Sequence, residues 1–159
     1  MPRDWVMTEP AIAAFVAGRR VAVAGVSRSG CQPANAVFRK LRDAGIEAIP
    51  INPQADRLEG CTSYRDLAAV PCLVDGLMVV TPPAAAESLV RQAAARGVRQ
   101  VWFHRSFGEG SVSLAALRAC TELGIRPIVG GCPLMYCEPV DVAHRCMRWW
   151  LGRQGRVPA

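Results

Sequence analysis

The chain has 159 residues, which is enough for one well-buried domain and too few for two ordinary ones. Hydrophobic residues make up 51% and charged residues 20%, and this balance excludes a disordered chain. The net charge of +6 comes almost wholly from arginines that are spread singly along the chain. This pattern disfavours nucleic acid as a partner and suits a small phosphorylated ligand.

Neither a secretion signal nor a membrane segment is expected. Asp4 and Glu9 interrupt the apolar stretch that a signal peptide needs, and no apolar run approaches transmembrane length. The seven cysteines are scattered without any C-x-x-C spacing, as is typical of thiols that stay reduced. We therefore expect a cytoplasmic protein.

The first half of the chain alternates helix and strand patterns. The predicted elements, in order, are a short helix around residues 12–16 with Thr8 as N-cap, a strand over 21–25, a helix over 33–44 and a strand over 46–52. Gly45 is the predicted left-handed C-cap between the second helix and the second strand. A short extra strand near residues 61–62 is predicted to flank the second strand, and residues 63–69 to form one turn of helix.

The second half repeats the helix–glycine–strand junction at Gly97 and Gly124. The predicted elements are a strand over residues 73–80, a helix after Pro82-Pro83, a strand over 98–103, a helix capped near Ser111 or Ser113, a strand over 125–129 and a C-terminal helix over 140–151. The apolar side of that last helix is predicted to contain Val140, Ala143, Met147, Trp150 and Leu151. It is expected to pack on the sheet, on a second copy of the chain in a homodimer, or on a partner protein.

Three such junctions at this spacing indicate parallel strands with helical crossovers. The predicted fold is α/β, a three-layer Rossmann-like parallel sheet with main strand order 2-1-3-4-5 and helices on both faces. One domain over residues 1–159 is expected, with an N-terminal and a C-terminal helix. Ligands bind such sheets at the topological switch, outside the carboxyl ends of the strands.

The first strand ends in a glycine turn, Gly25-x-x-x-x-Gly30. Ser27 stands where a dinucleotide motif has its middle glycine, and no Lys-Ser/Thr follows Gly30, so a nucleoside triphosphatase is disfavoured. Backbone donors, the Ser27 and Ser29 hydroxyls and Arg28 could hold a diphosphate here. A tight turn without a ligand is the alternative. A valine at position 25 is expected to obstruct the diphosphate while the fold is retained.

The end of the second strand discriminates between cofactors. A protein built for NAD usually places a carboxylate there, whereas this chain has Asn52-Pro53-Gln54 with Arg57 nearby. An uncharged strand end beside an arginine tolerates a ribose phosphate, which points to coenzyme A (CoA) or to NADP. An ordinary Asn-Pro turn is the alternative interpretation.

Several stretches together resemble a known family. They are V-A-V-A-G-V-S-R at residues 21–28, I-P-I-N-P at 49–53, Gly60 with Tyr64, Thr81-Pro82-Pro83 and Cys132-Pro133-Leu134-Met135. The chain resembles the small bacterial CoA-binding proteins, which are similar to the CoA-binding domain of the succinyl-CoA synthetase α subunit. The resemblance covers roughly residues 20–138.

The resemblance implies a ligand and the residues that contact it. Coenzyme A or an acyl-CoA would have its diphosphate on Gly25, Val26, Ser27 and Arg28, and its adenosine and phosphate beside Asn52 and Pro53. Thr81 and Pro82 would lie beside the adenosine or pantetheine. The family has no established reaction. This chain departs from it at His104-Arg105-Ser106-Phe107, where many members carry Gln-Pro-Gly.

No catalytic arrangement is evident in the sequence. His104 could act as a base or contact a thioester carbonyl, although a histidine bonded to backbone groups at a strand end is the commoner case. Cys132 is expected to be the thiol most exposed near the ligand. The spacing of Cys132, Cys137, His144 and Cys146 does not fit a metal site. The expected function is therefore CoA binding without catalysis, and an NADP-binding oxidoreductase-like domain is the alternative.

Overall fold

The computed structural model describes residues 8–105 and 109–158. The strands are β1 (Arg20–Ala24), β2 (Glu47–Ile51), β3 (Arg57–Leu58), β4 (Cys61–Thr62), β5 (Gly76–Val79), β6 (Gln100–Phe103) and β7 (Arg126–Val129). The helices are α1 (Glu9–Val16), α2 (Pro33–Asp43), α3 (Ala86–Ala95), α4 (Leu114–Glu122) and α5 (Val142–Arg153). Of the helices in these described ranges, none has the length and apolar character to cross a bilayer.

Five strands form one parallel sheet in the order β2-β1-β5-β6-β7. This is the predicted order 2-1-3-4-5 when the main strands alone are counted, so the Rossmann-like α/β fold is confirmed. The chain reverses its direction of travel across the sheet between β1 and β5. That pair of strands is the topological switch.

The two faces of the sheet hold separate apolar clusters. Val23 and Met78 point toward α1, α2 and α5, whereas their neighbours Ala24 and Val79 point toward α3 and α4. On the first face the ring of Phe15 in α1 meets that of Trp102 edge-on, with centroids 5.3 Å apart. Helices therefore cover both faces, as predicted, because alternate strand residues are apolar on each side.

The short segment after β2 differs from the prediction. β3 and β4 pair with each other in an antiparallel hairpin, and it is Tyr64 that bridges to Ile51 beside β2. The Tyr64 N–H donates to the Pro50 carbonyl at 3.0 Å, and the Asn52 N–H donates to the Tyr64 carbonyl at 2.9 Å. The strand predicted near residues 61–62 exists and lies beside β2, but it pairs with β3 and not with β2. The helical turn predicted over residues 63–69 was wrong, because the Asp66 carboxylate accepts the Ala69 N–H in a local turn.

The first residues of β5 and α5 also differ from the predicted ones. β5 begins at Gly76, and the Asp75 carboxylate before it accepts from the Arg19 and Arg20 N–H groups at 2.8 and 2.9 Å. α5 begins at Val142 because Asp141 is its N-cap. In both cases an aspartate fixes the start of the element by bonding backbone N–H groups.

Gly25 lies against the end of the neighbouring strand. Its φ is +109°, and a Cβ atom there would lie 2.3 Å from the Val80 carbonyl oxygen. The Val80 N–H in turn donates to the Ala24 carbonyl at 2.9 Å. The fold itself therefore requires glycine at this position, whatever the ligand, and a valine there would disturb the fold as well as any site.

The glycine turn is held in place by hydrogen bonds to Asn35, a buried residue of α2. Its side chain accepts from the Ser27 N–H at 3.1 Å and donates to the Ser27 carbonyl at 2.8 Å. It also donates to Glu59 Oε1 at 2.6 Å, and Arg39 donates to the same oxygen at 2.7 Å. Glu59 and Gly60 both have positive φ, 50° and 77°, as in the type I′ turns that close two-residue hairpins.

These contacts change the protonation of the Glu59 side chain. The hydrogen bond from Asn35 lowers the pKa of the carboxyl below its ordinary value of 4.5, and the Arg39 guanidinium lowers it further against the opposing effect of burial. The hairpin tip is thus tied to the glycine turn through an ionised carboxylate.

We expect Gly25→Ala to destabilise the protein more than Gly45→Ala. Both glycines have positive φ, but a Cβ at Gly45 would meet no atom within 4 Å. The strained backbone alone should cost about 1–2 kcal/mol at either position, and the clash with a backbone carbonyl should add roughly 1–3 kcal/mol at Gly25. Urea unfolding measures the difference, and equal losses in the two variants would contradict the assigned contact.

The Glu59 carboxyl should make stability depend on pH in the acid range. Because its pKa is lower in the folded state, its stabilising contribution is present above the unfolded-state value and is lost as pH falls through the folded value. Glu59→Gln should flatten the fall in unfolding free energy measured between about pH 6 and pH 3. Glu122→Gln, at an exposed position of α4, controls for the loss of one negative charge. An unchanged slope in Glu59→Gln would show that the carboxylate is not held in the network.

Candidate functional site

A cleft of about 470 Å³ opens outside the carboxyl ends of β1, β2 and β5. Its lining residues come from the ends of these strands, from α3 and the turn before it, and from the segment after β4: Ala24, Gly25, Ile51, Asn52, Pro53, Gln54, Arg65, Thr81, Pro82, Ala85, Ser88, Leu89 and Gln92. The volume is typical of a small-molecule site. The cleft lies at the predicted switch point, on the side of the sheet that α3 covers.

The cleft brings together five of the ten predicted site residues: Gly25, Asn52, Pro53, Thr81 and Pro82. Each lies within three residues of the end of β1, β2 or β5. Asn52 is fixed there because its Nδ2 donates to the Val26 carbonyl at 2.8 Å, and its Oδ1 accepts the Gln54 N–H at 2.7 Å. The loop after β2 is thereby tied to the glycine turn.

Val26, Ser27 and Arg28 continue the glycine turn without lining the cleft. The side chain of Val26 is fully buried, and the Ser27 N–H already donates to Asn35. Arg28 reaches across the turn, and its Nη2 donates to the Gln54 carbonyl at 3.0 Å. The contact of these residues with a diphosphate stays a prediction, and Arg28 is the one whose side chain already spans both loops.

The arginine that lines the cleft is Arg65 rather than Arg57. Arg57 lies in the β3–β4 hairpin, where its Nη2 donates to the Gly60 carbonyl at 3.0 Å. Arg65 is 79% exposed, and its Nε lies 3.3 Å from the Asp66 carboxylate. Arg65 was missed because residues 63–69 were interpreted as helix, whereas the Tyr64 bridge to β2 carries the next residue to the cleft.

Helix α3 contributes polar side chains that sequence reasoning also missed. Ser88 and Gln92 are one turn apart and both line the cleft. Gln92 Nε2 lies 3.3 Å from Ser88 Oγ, and its Oε1 accepts the Leu67 N–H at 3.1 Å. A polar pair at i, i+4 on an otherwise apolar helix face beside Leu89 is the signal that could have revealed them.

Thr81 presents the most informative polar atom of the cleft. Its Oγ1 is buried, and within residues 8–105 and 109–158 it has no hydrogen-bond partner. Buried hydroxyls in folded proteins nearly always have a partner, so an orphan that lines a cleft marks a place for a polar ligand atom. Within the described residues, no carboxylate, histidine or cysteine lines the cleft, and Arg65 is its one charged lining residue. The site therefore suits an anionic ligand.

His104 does not line the cleft. Its N–H donates to the Val79 carbonyl and its carbonyl accepts from Ser111, both at 3.0 Å. Burial lowers the pKa of its imidazole, which is therefore neutral at neutral pH. Its role in ligand binding stays a prediction, and the following Ser106 and Phe107 lie outside the described residues.

The expectation for Cys132 was wrong. Cys132 is 3% exposed and belongs to the apolar cluster on the α2 face, where Pro133 and Met135 of the next turn are also buried. The exposed thiols are those of Cys31 and Cys146. In the described part of the chain, no group of three or more histidine, cysteine, aspartate or glutamate side chains is arranged to hold a metal ion.

Solved structures share this fold. A hypothetical protein from Pyrococcus horikoshii superposes with a TM-score of 0.73 at 22% identity, over 84% of this chain and 91% of the other. A conserved hypothetical protein from Pyrococcus furiosus has 28% identity and a TM-score of 0.64, over 72% and 95% of the two chains.

A larger enzyme contains a similar domain. It is the dinucleotide-forming acetyl-coenzyme A synthetase 1 of Ca. Korarchaeum cryptofilum, solved with phosphate and ADP. It is 23% identical with a TM-score of 0.60, and the match covers 69% of this chain but 25% of the synthetase. At that identity the likeness concerns the fold alone.

The family match agrees with the geometry of the cleft. Residues 19–138 match the family described as the CoA binding domain. That range contains all five strands of the sheet, the glycine turn and every residue that lines the cleft. The switch-point cleft and the match over most of the chain together lead to one conclusion: this chain belongs to the CoA binding domain family.

Proposed function

We propose that the chain binds CoA or an acyl-CoA in the cleft between β2 and α3, in the cytosol, and that it catalyses no reaction by itself. The observation that carries the proposal is the cleft lining, which contains a cationic side chain and an orphan hydroxyl but no carboxylate. Membership of the CoA binding domain family supports the choice of ligand.

The residues fit the parts of such a ligand. An apolar wall for the adenine is supplied by Ile51, Ala85 and Leu89. Thr81 Oγ1, which is buried without a hydrogen-bond partner among the described residues, forms a hydrogen bond with a polar atom of the ligand. Arg65 is the cation beside the ribose phosphate. The glycine turn and Arg28 hold the diphosphate, and Arg28 can do so because its guanidinium already lies between the two loops.

The absence of catalysis is supported by the same lining. Acyl transfer and thioester hydrolysis use a nucleophile, a base or a proton donor beside the reacting carbonyl. Among the residues that the structure describes, no acidic side chain, histidine or thiol lines this cleft. A cytosolic location is supported by the seven cysteines, which are scattered without any C-x-x-C spacing.

Ligand titration tests the proposal directly. Isothermal calorimetry with CoA, dephospho-CoA, NADP and NAD should give the highest affinity for CoA. Arg65 favours a ribose phosphate, and no carboxylate follows β2 to accept a hydrogen bond from a ribose hydroxyl. Ligands without that phosphate should bind more weakly, and the difference should shrink as salt rises. Tighter binding of NADP than of CoA would replace this function with that of an NADP-binding domain.

A pair of variants identifies the arginine that binds the ribose phosphate. Arg65→Ala should weaken CoA by up to roughly fivefold, since an exposed ion pair contributes about 1 kcal/mol or less, and should leave dephospho-CoA unchanged. Arg57→Ala is the matched control, because Arg57 lies in the hairpin and outside the cleft lining. A loss of CoA affinity in the Arg57 variant alone would place the phosphate beside the hairpin instead.

A further inference from the structure

Helix α5 presents an outward face that the core does not use. Six of its exposed residues recur with helical spacing: Val142, Arg145, Cys146, Trp149, Trp150 and Arg153. Val142, Trp149 and Trp150 are 66%, 61% and 48% exposed, whereas Leu151 is the buried residue of the helix. The prediction that Ala143 and Trp150 lie on the packing side was wrong, because both are exposed. Tryptophan and arginine are enriched at protein interfaces, and we call these six residues the α5 outer face.

A groove runs beside this face. It has a volume of about 240 Å³ and is lined by Met135, Glu138, Val140, Arg145, Arg148 and Trp149. The Glu138 carboxylate accepts the Val140 N–H at 3.0 Å, so part of its charge is engaged within its own loop. Apolar side chains of Met135, Val140 and Trp149 leave room for one apolar side chain of a partner.

Cations outnumber carboxylates around the groove, because Arg145 and Arg148 line it together with Glu138. No acidic residue occurs between positions 142 and 153. The Arg153 guanidinium lies 5.2 Å from the centroid of the Trp149 ring. Within the described residues, neither Arg145 nor Arg153 forms an ion pair, whereas Arg148 contacts Glu9 at 3.4 Å and lies over the Tyr136 ring. The outer face thus combines exposed aromatic surface with an excess of cations over carboxylates.

We propose that the α5 outer face is a docking surface for an acidic segment of another protein, which inserts an apolar side chain into the groove beside Trp149. Acidic groups on the partner would complement Arg145 and Arg153, and tryptophan would supply the apolar contact. The six residues of the α5 outer face lie outside residues 19–138, and neither they nor the residues of the groove line the cleft. The docking surface therefore does not depend on the proposed ligand.

Two other occupants fit the observations less well. A second copy of the chain docked face to face would bring Arg145 and Arg153 against the same arginines, which is unfavourable. A lipid surface needs a continuous apolar face. Here Val142 is separated from Trp149 by about two turns of helix, with Arg145 between them and a concave groove alongside.

A peptide-display selection tests this docking surface. The intact chain serves as bait for a random library of peptides of about 15 residues, long enough for four helical turns. The baits are the wild-type chain, Trp149→Ala, Arg145→Glu and, as a control, Arg118→Glu at an exposed position of α4. Unfolding midpoints establish that each bait is folded, which is expected because the altered side chains are exposed.

The expected result is enrichment of peptides that carry net negative charge and apolar residues. Synthetic copies should bind the Trp149 and Arg145 variants at least tenfold more weakly than the wild type and the Arg118 variant. The proposal is overturned if no peptide is enriched, if the enriched peptides are neutral or basic, or if binding ignores Trp149. Trp149-dependent binding to phosphatidylglycerol vesicles, or Trp149-dependent self-association in sedimentation, without any acidic peptide, would assign the surface to a membrane or a dimer instead.

Discussion

The close approach of Gly25 to the Val80 carbonyl is the constraint on which the site depends. The two central strands end side by side, so closely that a methyl group at position 25 would overlap a backbone oxygen. From there the chain leaves in two directions, toward α2 on one face and toward α3 on the other. The separation of these two paths leaves the cleft between them. The close contact between the two strand ends therefore determines where the cleft forms in which a ligand can lie.

The loops around that opening are ordered by hydrogen bonds among their own side chains and backbone groups. Asn35 bonds both backbone groups of Ser27, Asn52 bonds the Val26 carbonyl, and Glu59 from the hairpin holds Asn35 in place. A loop fixed in this way before binding loses little conformational entropy when a ligand arrives. The arrangement also gives a role to the β3–β4 hairpin, which does not extend the main sheet. The tip of the hairpin supplies the Glu59 carboxylate, which orients the buried Asn35 amide.

The strand order and the position of the site could be predicted because they follow from local patterns. Apolar runs that end in glycine, Asn-Pro or Thr-Pro mark the carboxyl ends of strands, and parallel strands bring those ends to one edge. Arg65 could not be found in this way, since its place depends on one bridge between Tyr64 and β2. The burial of Cys132 could not be predicted either, because a residue in the loop after a strand can point toward either side of the sheet. Both errors concern side chains whose environment is set by distant residues.

Phe15 of α1 occupies the space directly over Gly76, where a Cβ atom would lie 2.8 Å from its ring. The helix that carries Phe15 lies outside the region shared with the family. A relative without this helix would have a bare patch over its third sheet strand and would need a larger residue there to fill it. The size of the residue at position 76 and the packing of the N-terminal helix on the sheet are thus coupled, because any side chain at position 76 would displace the Phe15 ring.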